Sequence, residues 1–191
     1  MSLEDAQSLR DTLAARKNAI IQAWLARTLQ TYPEHTGRFL LQEKDPFRNP
    51  VGHTFTEAFP TLFDQLVGGM DTATITPVLD GIVRIRAVQD FTASQAVAFL
   101  FLLKKVVREA LEGEIQRRPD GGGLVAVEGR IDEMALLAFD LFMKCREKIY
   151  EIKANEAKRK IYVLERMYGV QPAATACGPE APPRRDHEEV G

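Results

Sequence analysis

Residues 92–113, TASQAVAFLFLLKKVVREALEG, decide the fold. Thr92 and Gln95 stand at capping-box spacing: the threonine oxygen takes the N3 amide while the glutamine reaches back to the N-cap amide, so a helix starts here. From Ala96 to Leu103 every residue is apolar. Such a run has no polar face for water and predicts a half-helix packed on every side, the hub of one core. Lys104, Lys105, Arg108, Glu109 and Glu112 then restore a polar face around Val106, Val107 and Leu111. The hub itself carries no chemistry.

Downstream, Arg117–Gly123 (RRPDGGG) is the sharpest break in the chain and predicts a turn between two helices. Beyond it, Leu124, Val127, Ile131, Met134, Ala138, Leu141, Cys145, Ile149 and Ile152 follow steps of three and four, the a/d seam of a bundle or coiled-coil helix. Glu156 takes the next seam position, Lys158, Arg159 and Lys160 crowd the following turn, and Val163, Leu164 and Met167 return. No proline or glycine interrupts 130–168, so the helix is expected to run about 60 Å at 1.5 Å per residue. That outreaches a small bundle. Ile149, Ile152, Val163, Leu164 and Met167 are therefore expected to form a homodimer interface. Residues 170–191, rich in proline and glycine and poor in large apolar side chains, are expected to be a disordered tail after a single helical domain spanning 1–169. Cys177 and His187 in that tail lack zinc-ligand spacing, and no metal is assigned.

Upstream, Leu9, Leu13, Ile20, Trp24 and Thr28 form an apolar stripe interrupted at Arg16–Asn18, which allows two short helices in place of one, with Trp24 as a core anchor. Glu34–Gln42 reads as a short helix. In DPFRNPVG (45–52) each X-Pro step holds the preceding residue extended, and Asn49 followed by Pro50 is an N-cap with proline at N1. The helix it starts carries His53 in its first turn and runs to Gly68. Asp71 or Thr72 caps the next, in which Arg86 and Gln89 continue the stripe of Ile75, Leu79 and Ile82. A buried guanidinium needs a partner; Asp90 and Asp45 are the available carboxylates, with Asp80 for Arg84. Asp45, Asn49, His53, Arg84, Arg86, Gln89 and Asp90 thus form a polar cluster with two readings, a structural bridge or a ligand anchor.

Composition excludes several classes. The 191 residues carry a net charge of -2 and 45% hydrophobic content, enough for one core and without the basic field that nucleic-acid binding needs. The longest apolar run is far too short to span a bilayer, the N-terminus lacks a signal-peptide pattern, and Cys145 and Cys177 have no disulfide-framework spacing; a cytoplasmic protein without membrane insertion is expected. Nucleophile-elbow, zinc-protease and phosphate-loop motifs are missing, so no enzyme is expected.

DPFRNPVG (45–52) and RIRAVQDFTASQAVAFLFLLKK (84–105) resemble the N-terminal domain of RsbT co-antagonist proteins of the RsbR/RsbRD type, over roughly residues 10–165. The resemblance implies an all-α, globin-like bundle without haem that dimerises, senses a signal of stressosome type and passes it through a long helix to a phosphate-accepting STAS domain. Too few residues follow the helix for such a domain, so a stand-alone version is expected. The function it implies is a cytoplasmic signalling sensor or adaptor that works through homodimerisation and an unidentified protein partner, with no cofactor. The alternative is a small-ligand or haem-binding sensor, for which His53 is the one histidine placed to serve as axial ligand.

Overall fold

The computed structural model describes residues 3–117 and 123–168. Among them are eight helices and no strand: α1 (Leu3–Ala15), α2 (Lys17–Leu29), α3 (Glu34–Gln42), α4 (Pro50–Gly68), α5 (Thr72–Val88), α6 (Ala93–Ala110), α7 (Glu112–Arg117) and α8 (Leu124–Tyr168). The expected all-α class and long C-terminal helix are both present. Residues 118–122 of the glycine-rich turn lie outside the described residues, as does the expected disordered tail with Cys177 and His187. The chain divides into two compact units, Met1–Tyr150 and Glu151–Gly191.

Local chemistry sets the helix boundaries. Arg16, with φ -99° and ψ 5°, separates α1 from α2 where the apolar stripe is interrupted. Asn49 caps α4 by accepting the Gly52 amide at 2.8 Å, with Pro50 at the first helical position. Asp71 caps α5, and both bonds of the Thr92/Gln95 capping box open α6.

The core of the first unit is built on Trp24. Its ring stacks on Phe59 of α4 at 3.7 Å between centroids, and Phe99 of α6 lies parallel at 6.1 Å. The indole N–H donates to the Phe99 carbonyl at 2.6 Å. Each aromatic pair adds about 0.5–1.5 kcal/mol beyond the area it buries, and the bond satisfies the one polar atom of the ring. Three helices are thereby fastened at one point. Around it Leu100, Leu103, Leu62, Leu66, Leu79 and Ile82 are fully buried.

The hub departs from its expected packing in two ways. Ala98 and Leu102 are half-buried and Phe101 is 45% exposed, because α6 has a side that no other element of its unit covers. It also stops at Ala110, where the buried Leu111 turns the chain into α7, short of the glycine-rich segment. On the flank of α6, Arg108 pairs with Glu128 and Lys104 with Asp132 at 2.6 Å. These pairs set α8 antiparallel to α6. The Arg108 bond holds the Glu128 carboxyl below the usual carboxylate range.

The seam of α8 changes character along its length. Leu124, Val127, Ile131, Met134, Ala138 and Phe142 are buried, and Leu141, Cys145 and Ile149 are half-buried against the same core. From Glu151 to Leu164 every residue is exposed.

One junction tests how tightly the sequence is matched to the fold. The Asn49 amide donates to the Leu40 and Glu43 carbonyls at 2.8 and 2.7 Å, drawing the end of α3 onto the start of α4. A Cβ at Gly52 would meet the Leu40 carbonyl oxygen at 2.6 Å and the Asn49 amide at 2.2 Å. Alanine favours a helix by about 1 kcal/mol over glycine, whereas such overpacking costs about 1–3 kcal/mol. Gly52→Ala should therefore lower stability in urea unfolding despite its better propensity; an unchanged or raised midpoint would show that α3 is not held here.

Candidate functional site

The polar residues singled out from the sequence separate into distinct places. Asp45 closes its own loop, its carboxylate accepting the Phe47 amide at 3.0 Å, and Asn49 is spent on the α3–α4 junction. His53 sits in the exposed first turn of α4 with Nε2 3.3 Å from Glu57 Oε1. Arg84 pairs with Asp80 at 2.6 Å on the surface of α5, as expected from their spacing. Only Arg86, Gln89 and Asp90 remain together, at the corner where α5 turns into α6.

Arg86 is 0% exposed, and the expected carboxylate partner is not there. Its Nη1 donates to the Gln95 carbonyl at 2.9 Å and lies 3.4 Å from that of Ala96, both in the first turn of α6. Among the described residues Nε and Nη2 have no hydrogen-bond partner. What surrounds the charge is aromatic: the rings of Tyr32, Phe55, Phe91 and Phe99 lie 5.1 to 5.6 Å from the guanidinium carbon. Burial drives the Arg86 pKa downward and raises that of the Tyr32 phenol. The Tyr32 hydroxyl lies close enough to the guanidinium to interact with it electrostatically, and donates to Gln89 Oε1 at 3.2 Å.

Both expected carboxylates are diverted by local geometry. The α5 helix ends in a six-to-one bond from the Phe91 amide to the Arg86 carbonyl at 3.3 Å, with Asp90 in the left-handed region at φ 59°. This is a Schellman-type stop with aspartate where glycine is usual. The turn carries the Asp90 side chain out to solvent, where Arg146 of α8 takes it at 3.4 Å. Arg146 also donates to the Ala87 carbonyl at 3.1 Å and to the Tyr150 hydroxyl at 2.8 Å. The corner that covers Arg86 is thus tied to α8 by two bonds from one side chain, which Tyr150 of α8 helps to hold in place.

Sequence reasoning missed Arg146. It also missed a second apolar stripe on α8, Leu136, Phe139 and Met143, all exposed, as is Phe101 of α6. The recurrence of Leu136, Phe139, Met143 and Tyr150 at three, four and seven was legible, but the stronger a/d seam drew the reading.

Among the described residues no helix is long and apolar enough to cross a membrane. Residues 18–157 match the family described as the RsbT co-antagonist protein RsbRD N-terminal domain, and the chain belongs to that family. It is accordingly a domain of the stress-signalling sensor type. No curated protein and no solved structure matches the chain.

The Arg86 pocket makes a sharp stability prediction. A buried charge paired with a carboxylate loses about 3–5 kcal/mol when its partner is removed, whereas replacing an ill-paired buried ion by an apolar residue of similar volume is often neutral or stabilising. With no carboxylate stranded, Arg86→Met should unfold in urea within about 1 kcal/mol of the parent or above it. A loss of about 3 kcal/mol or more would show that Arg86 has an ionic partner.

Proposed function

We propose that this chain is a cytoplasmic sensor or adaptor, not an enzyme, that signals through protein contact as a homodimer, with α8 as its output element. The observation that carries the reading is the uncovered apolar surface of α8. Ile152, Val163, Leu164 and Met167 are 48%, 52%, 52% and 73% exposed, at positions that continue or rejoin a helical seam. Exposed apolar side chains in such number on one helix mark a protein interface, and a second copy of the same helix is the simplest complement because an isologous contact is self-matching. Ile149, half-buried, stands where the seam leaves the core. Phe101, Leu136, Phe139 and Met143 are further exposed apolar side chains within the first unit. Arg146, bonded to the α5–α6 corner and one turn before Tyr150, is the point at which a change at the corner would reach the helix.

A globin-type haem site is the weaker reading. His53 stands at the surface on Glu57, and the interior between α2, α4 and α6 is filled by the parallel rings of Trp24, Phe59 and Phe99.

Sedimentation velocity at tens of micromolar tests the association. The parent should run as a dimer, and Ile152→Asp with Leu164→Asp should give a folded monomer or a strongly weakened dimer. A monomeric parent would overturn self-association and leave the exposed face to a different protein.

A further inference from the structure

We infer that the free edge of Arg86 is the receptor for a small monocarboxylate, the ligand this sensor domain reads. The inference rests on the sensor reading above, but not on dimerisation.

The geometry of the unpaired atoms carries the argument. A guanidinium presents a carboxylate-matching fork along the Nε–H and Nη2–H edge, where two parallel donors meet two oxygens in one plane. In Arg86 that edge is the one left without partners, while Nη1 is engaged by the first turn of α6. Unsatisfied N–H groups on a charged, wholly buried side chain are rare in folded proteins and call for a missing partner. Among the described residues no carboxylate supplies it, since Asp90 is held outward by Arg146 and Asp45 by its own loop.

The surroundings narrow the ligand class. One guanidinium can neutralise one negative charge; a phosphate or sulfate dianion would bring a second, uncompensated charge into an aromatic enclosure and pay its desolvation. A planar, singly charged carboxylate leaves no excess. The rings of Tyr32, Phe55, Phe91 and Phe99 are turned to the guanidinium itself, so the enclosure favours a ligand with little beyond its carboxylate. The entry is the corner 89–92, whose Gln89 and Asp90 are exposed and whose Phe91 ring stands over the guanidinium at 5.1 Å. Displacing Phe91 moves the backbone whose amide closes the end of α5, and with it the Asp90 carboxylate that Arg146 holds. Ligand binding and the setting of α8 are coupled through that pair.

Acetate is the probe, followed by thermal unfolding and by calorimetric titration of the full chain, with sodium chloride at equal ionic strength and acetamide as controls. Saturating acetate should raise the unfolding temperature by about 5 °C at a hundred-fold excess over the dissociation constant, and the controls should not. Arg86→Lys keeps the charge and loses the fork, and should lose the response. The Ile152→Asp, Leu164→Asp double variant should keep it, which separates failure of binding from failure of association. Should Arg86→Lys not fold, Arg86→Met, expected above to keep its stability, carries the test and should lose the acetate response. Equal responses to acetate and chloride in the parent, or an undiminished response in Arg86→Lys or Arg86→Met, would each overturn the assignment.

Discussion

A positive charge shut away from water with three of its five N–H donors unused among the described residues is the constraint around which this bundle is arranged. The Arg86 guanidinium cannot shed its proton at any ordinary pH, so burial must be offset by what surrounds it. Two carbonyls at the start of α6 and four aromatic faces do part of this, each cation–π contact contributing about 0.5–2 kcal/mol in a desolvated setting. The same residues build the core: Phe55 and Phe99 belong to the aromatic cluster around Trp24, and Phe91 follows the strained Asp90 turn. The two N–H groups of the free edge remain, at a cost of about 1–3 kcal/mol each. A bundle optimised for stability alone would place a methionine there.

The consequences spread along the chain. Because Arg86 is the residue whose carbonyl receives the closing bond of α5, its environment and the path of the corner are the same structural fact. Asp90 in a left-handed conformation is less comfortable than glycine, yet glycine could not reach Arg146. Arg146 in turn belongs to the helix that runs uninterrupted to Tyr168 and whose later side chains lie exposed. A sensor needs a site with unmet interactions, a nearby element that can move, and an output surface awaiting a partner. On the reading proposed above, the Asp90–Arg146 pair joins the first two.

Much of the architecture was legible from local chemistry. The capping box at Thr92, the Asn49–Pro50 start, the break near Arg16 and the α8 seam each rest on one or two residues whose physics acts over a few positions, and each stands in the structure. Trp24 as an anchor was legible for the same reason. The partner of Arg86 was not, because periodicity could place the guanidinium inward but could not say that the turn after Val88 would swing Asp90 away. Nor could spacing show that Asp45, Asn49 and His53 would be absorbed by the α3–α4 junction. Phe101 escaped as well: eight apolar residues in a row predict a sheathed helix, and only the packing reveals the side left open.

The central claim is that Arg86 is buried with its Nε–Nη2 edge unpaired, and nitrogen-15 NMR of the arginine side chains tests it most directly. The Arg86 Nε–H resonance should exchange slowly with water, be unaffected by Asp90→Asn, and shift selectively on addition of acetate. Rapid exchange with solvent, or a resonance that Asp90→Asn displaces as the loss of a carboxylate bond would, contradicts the account.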